Sequence, residues 1–154
     1  MSALAAAVVF VWLGMVLAIS FLEAPLKFRA PGITLALGLG IGRLVFRALN
    51  AVEIVLAAVV VLAAVVVLAV ATAAPGPIAL AGVAVAVAVL SGQILLVRPL
   101  LRRRSDAVLA AQTAPPGGII ERSRAHYAYA GLEVVKVAAL LTAGVALQLA
   151  SIAG

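Results

Sequence analysis

AVEIVLAAVVVLAAVVVLAV, residues 51–70, decides the fold. After Glu53 the run holds no charge, and none appears before Arg98. A helix needs about 20 apolar residues to cross a hydrocarbon core, and this stretch, extended to residue 72, supplies them. Three more such stretches surround it: ALAAAVVFVWLGMVLAISFL at 3–22, PIALAGVAVAVAVLSGQILLV at 77–97 and GLEVVKVAALLTAGVALQLASI at 131–152. The chain has 154 residues, 67% hydrophobic and 10% charged, with a mean hydropathy of +1.34. A soluble domain of that size would have to turn much of this apolar surface to water. The alternating VAVAVAV at 83–89 is no barrel strand, because both of its phases are apolar and a barrel strand sets polar groups at every second position. In lipid an isolated segment must satisfy its own backbone, which leaves helix. The expected fold is all-α, a single transmembrane domain over 1–154 built as a four-transmembrane-helix bundle.

Charge maps the ends of those helices. Glu23, Lys27, Arg29, Arg43, Arg47 and Glu53 form one charged stretch, and the residues from Arg98 to Lys136 hold the rest. Short loops rich in Lys and Arg stay cytoplasmic. The segments 23–50 and 98–130 are therefore expected inside, with both termini and the uncharged TAAPGP turn outside, in a bacterial plasma membrane. The opening MSALAAAVVF has neither a basic leader nor a small-residue cleavage pattern, so it reads as a retained first span. The net charge of +6 then points to anionic inner-leaflet headgroups as partners rather than to nucleic acid. In RPLLRRRSDAVLAAQ (98–112) a basic cluster precedes a mildly apolar helical stretch. That pattern suits a helix lying on the inner leaflet, broken at TAPPGG (113–118). The absence of cysteine excludes thiol redox chemistry and thiolate metal sites within this chain.

FLEAPLKFRAPG (21–32) carries Pro25 and Pro31, each disfavouring helix at the residue before it. The first helix is expected to end near Glu23, and helix to resume near residue 33 and run into the second span. Gly38 and Gly42 have the small-xxx-small spacing that lets helices approach closely. The GLGIG string has no preceding strand, so it is not a dinucleotide loop.

Two polar stripes interrupt this apolar chain. At about 100° per residue, Arg43, Arg47, Asn50 and Glu53 fall within an arc of roughly 120° on the second helix. Arg122, His126, Tyr129, Glu133 and Lys136 fall within about 80° on the fourth. Ser91, Gln93 and Arg98 on the third span, with Glu23 and Lys27 after the first, reach the same level. One reading makes these residues a boundary, with Lys and Arg snorkelling to headgroups and Phe28, Phe46, Tyr127 and Tyr129 as an aromatic belt. The other sets the stripes face to face, because a carboxylate in a span costs about 2.5–3.5 kcal/mol and is best turned toward protein cations. The resulting pocket would be wet, slightly cationic and open to the cytoplasm, suited to an anionic amphiphile or an ion. His126 is the sole histidine, too few for bis-histidine haem or a cysteine-free metal site. Trp12, in mid-span, reads as a packing residue.

The whole chain resembles small four-helix membrane proteins of unknown function, of the transmembrane protein 205-like type. The likeness lies in WLG…FLEAPLKF, the GRLVF entry to the second span, VRPLLRRR leaving the third, and RSRAHYAYAGLE opening the fourth. It implies a fold and a membrane location and no reaction. In that family a serine and an asparagine usually follow the histidine, whereas here Tyr127, Tyr129 and Glu133 stand nearby. More locally, RALNAVE is similar to the second-helix motif of the MAPEG family through Arg47, Ala48, Asn50 and Glu53, with Leu49 where that motif has histidine. This second resemblance implies a trimeric glutathione-dependent transferase or isomerase, with Arg47, Asn50 and Glu53 fixing the tripeptide and Arg124 or Tyr127 near the thiol. Otherwise no cofactor is expected, and no nucleophile is set beside a base. Three functions follow: binding or passing a small amphiphile or ion, glutathione chemistry, or a structural subunit that associates with partners or further copies through the Gly38–Gly42 face.

Overall fold

The computed structural model describes residues 2–70, 76–111 and 124–153. Arg122, most of the connector after residue 70, and the 113–118 break lie outside them, as do the side chains of Arg124 and His126. Four helices are long and apolar enough to cross a membrane, spanning Ala3–Arg29, Ala36–Ala69, Pro77–Arg103 and Tyr127–Ile152. The fold is an all-α four-helix bundle, as its composition requires, and the described residues contain no strand. In chain order the elements are α1 (Ser2–Val16), the short α2 (Ala24–Leu26), α3 (Leu35–Val70), α4 (Pro77–Gly92), α5 (Arg98–Ala111) and α6 (Arg124–Ala153). The central element is α6, which packs along both α1 and α4, while α3 rests mainly on α1.

The core follows the small residues. Ala6, Val9, Trp12 and Val16 of α1 and Ala79, Val83 and Ala86 of α4 close on Ala139, Leu140 and Ala143 of α6. The closest approach is at Gly82, where a Cβ would stand 2.8 Å from the Ala139 carbonyl oxygen and 2.9 Å from the Ala143 Cβ. Only glycine admits a backbone that near, which is the small-residue packing expected between membrane helices.

One expected break is absent, and the third span runs on past its expected end. Helical backbone continues past Glu23 and Pro25, and past Val97 and Pro99, in both cases through a π-helical turn, Leu17–Glu23 and Gln93–Val97. The residue before each proline stays right-handed helical and reaches back five residues, Ala24 N–H to the Ile19 carbonyl and Arg98 N–H to the Gln93 carbonyl. Each proline thus sits in the first turn of a fresh helical segment, where its missing N–H removes nothing. In consequence α5 continues the third span rather than starting as a separate surface helix, and an Asp106–Arg43 ion pair of 2.7 Å ties it to α3.

The true reversal comes at Ala30–Ile33. Ile33 N–H donates to the Ala30 carbonyl at 3.2 Å, with Pro31 and then Gly32 at φ 78° between them, the arrangement of a type II turn. Thr34 then caps α3, its Oγ1 accepting from Leu37 N–H at 3.2 Å. This joint folds back on α3. The Phe28 ring lies against Gly38, and a Cβ on Gly42 would meet Lys27 Nζ at 2.9 Å. The chain's own Phe28 and Lys27 therefore occupy the glycine face expected to receive another helix.

Candidate functional site

Glu53 and Lys136 have no exposed surface, Glu133 has 1% and Asn50 3%. They come from opposite stripes and meet inside the bundle. The fourth-helix arc faces α1 and α4, which brings Glu133 and Lys136 inward. On α3 the arc is wider than the seam. One edge, Asn50 and Glu53, points in, while Arg47 is exposed and Arg43 is turned to Asp106.

Lys136 is the hub. Its Nζ lies 2.6 Å from Glu53 Oε1 and 3.2 Å from Glu133 Oε1, and it donates to Gln93 Oε1 at 2.9 Å. These three acceptors match the three N–H bonds of an ammonium. Gln93 returns its amide to Glu133 Oε1 at 3.0 Å. Trp12 Nε1 donates to Glu53 Oε1 at 2.9 Å. All four spans thus contribute one or more members. Gln93 opens the third-span π-turn, a local widening of the helix that recurs at functional positions.

Every donor converges on one oxygen of each carboxyl group. Glu53 Oε2 and Glu133 Oε2 are buried without a hydrogen-bond partner, as are both side-chain polar atoms of Asn50 and the Tyr129 hydroxyl. Most buried polar groups in folded proteins are satisfied, so this concentration sets the cluster apart. Tyr129 packs edge-on against Phe46, with ring centroids 5.7 Å apart. Above them the Arg98 guanidinium donates to the Phe46 carbonyl oxygen. Lys27 sits 5.5 Å from the Phe46 ring centroid and pairs with Glu23 at 3.3 Å. Phe46, Tyr129 and Arg98 form a cover between the cluster and the charged end of the molecule.

Several expectations change in this light. Burial removes Glu53 and Glu133 from a watery boundary, and Tyr129 from an aromatic belt; Tyr127 and Phe28 remain exposed. The cluster is closed rather than open. It is also not cationic, because Arg43 and Arg47 lie outside it and two carboxyl groups close on one ammonium, with the Arg98 guanidinium of the cover acting on Glu53 without direct contact. Of the residues matching the glutathione-type motif, Arg47 and Ala48 are exposed, whereas Asn50 and Glu53 are buried. Trp12 is a member and more than packing. Its only sequence signal was a lone hydrogen-bond donor in the middle of an apolar span, and its acceptor is 41 residues away. No family model, curated protein or solved structure matches the chain.

Proposed function

We propose that this integral membrane protein takes up a small cation at the buried Glu53–Lys136–Glu133 cluster. The observation that carries the reading is the excess of carboxyl groups: two face one ammonium, out of contact with solvent, and each keeps one oxygen without a partner. Burying an uncompensated charge costs several kcal/mol, and ionisable residues inside spans mark ion paths and proton relays by default. A further positive charge relieves that excess, whereas an anionic amphiphile would add to it.

The distribution of Lys and Arg supports a cytoplasmic position for residues 23–50 and 98–130. The Phe46–Tyr129–Arg98 cover then faces the cytoplasm and is the short route to the cluster. The test is thermal unfolding of the purified protein across a series of alkali cations and pH values, compared with the double variant E53Q/E133Q. Wild type should show a cation or proton dependence that the double variant lacks. Identical responses in both proteins would overturn the reading.

A further inference from the structure

Resting on that reading, we infer that the cation is a proton, shared between Glu53 and Glu133, and that Trp12 senses its arrival.

The hydrogen-bond pattern leads to this conclusion. The three N–H bonds of Lys136 go to Glu53 Oε1, Glu133 Oε1 and Gln93 Oε1, so the ammonium has none left for the second oxygens. Trp12 and the Gln93 amide also donate to the Oε1 atoms. Glu53 Oε2, Glu133 Oε2 and Asn50 Oδ1 remain as buried acceptors without a hydrogen bond, and the donors left over beside them, the Asn50 amide and the Tyr129 hydroxyl, are neutral and cannot offset the extra carboxylate charge. One proton on either Oε2 turns an acceptor into a donor and brings the formal charge of the triad to zero. The one bond formed is the carboxyl O–H, and the one broken is an O–H of a hydronium ion in the water at the charged end, which is left as water.

A metal ion fits the same oxygens poorly. Hard cations with oxygen ligands take a shell of roughly six or more. The partnerless oxygens here are too few, and the two glutamates that bear most of them are already closed on Lys136. A proton needs a single lone pair and no cavity.

Each surrounding element contributes groups that bear on this proton. From α1 comes Trp12, a neutral donor, and beyond its π-turn the Glu23–Lys27 pair sits behind Phe46. From α3 come Glu53 and the neutral Asn50, with Arg47 outside on the surface. The third span supplies Gln93 and, at the start of α5, Arg98, engaged by the Phe46 carbonyl and neighboured by Arg102. On α6 stand Lys136 and the Tyr129 hydroxyl beside Glu133. Lys136 is the only cation inside the cluster. Its charge is matched by one carboxylate, so a proton is required only while both carboxyl groups are present.

Trp12 is the only tryptophan in the chain and donates directly to Glu53, so its emission reads the site. The experiment follows Trp12 fluorescence of the full-length protein in vesicles from about pH 4 to 9. Sodium and potassium chloride are also titrated separately at fixed pH. Wild type should show one transition with a slope of about one proton and no response to either salt. Glu53→Gln and Glu133→Gln should each abolish the transition, with helical content checked by circular dichroism. Should a variant fail to fold, infrared difference spectra of wild type alone supply the second measurement. A protonated-carboxyl band should disappear in step with the fluorescence change. A transition surviving in either folded variant, or one unaccompanied by that band, overturns the proposal. A response to sodium or potassium without one to pH overturns the proton and leaves the ion-binding reading standing. Silence toward pH and both salts removes both.

Discussion

Lys136 shows how uneven the energetics of this site are. Exchanging it for methionine preserves volume but leaves two carboxyl groups buried without their counter-charge, the situation in which breaking a buried pair costs about 3–5 kcal/mol. Lys136→Met should lower the unfolding free energy in detergent by about that amount. Adding E53Q and E133Q to it should recover much of the loss, because the buried charge is then gone from both sides. The Trp12 indole donates to a charged acceptor, a bond worth about 1.5–3 kcal/mol. Trp12→Phe should therefore destabilise measurably, although phenylalanine fills most of the space. Tyr129→Phe should behave differently. Its hydroxyl stands beside Glu133 without a well-formed hydrogen bond, so removing it should be close to neutral in the same unfolding assay. Asn50, Glu53, Glu133 and Lys136 were legible as residues because polar groups at helical spacing stand out against apolar sequence. Trp12 was not, since its acceptor lies on another helix and its own surroundings are uniformly apolar.

At the scale of elements, hydropathy identified all four spans because lipid permits few alternatives to helix. It could not identify their continuation through Pro25 and Pro99. A proline reads as a stop when the ladder is assumed to keep its four-residue reach. Here the ladder lengthens by one residue just before each proline, and that shift is a property of the backbone with no residue signature of its own. Glycine spacing marked one close contact and missed another. Gly38 and Gly42 carry the recognisable motif and receive Phe28 and Lys27 from the helical end of the first span, while Gly82 makes the tight contact between α4 and α6. Gly82→Leu should separate those helices and lower thermal stability by tens of degrees or prevent folding. Gly14→Leu should be mild by the same measurement, since nothing lies within 4 Å of its Cβ position.

The whole molecule is asymmetric. Three spans, α1, α4 and α6, share a packed seam, and α3 joins them at the side, linked to α6 chiefly through the Glu53–Lys136 pair and the Phe46–Tyr129 contact. Much of the outer length of α3 is exposed, including Ile54, Val55, Leu62, Val65 and Leu68, and in a bilayer these side chains meet acyl chains. Orientation can be tested cleanly because the chain has no cysteine. A membrane-impermeant maleimide added to intact cells should label Gly76→Cys and spare Arg103→Cys, and the reverse pattern would invert the topology.

The length of α3 has a consequence for the membrane itself. Its 36 residues make a rod of about 54 Å, and because Glu53 is buried in the bundle the outward-facing uncharged length runs from Ala48, just past the exposed Arg47, to Ala69, about 33 Å. A typical hydrocarbon layer is about 30 Å thick. A modest tilt reconciles the two lengths, so the surrounding lipid has no need to thin. Reconstitution in phospholipids of graded chain length should give the highest melting temperature where the hydrocarbon layer is about 30 Å thick, with a clear loss in the shortest-chain bilayers.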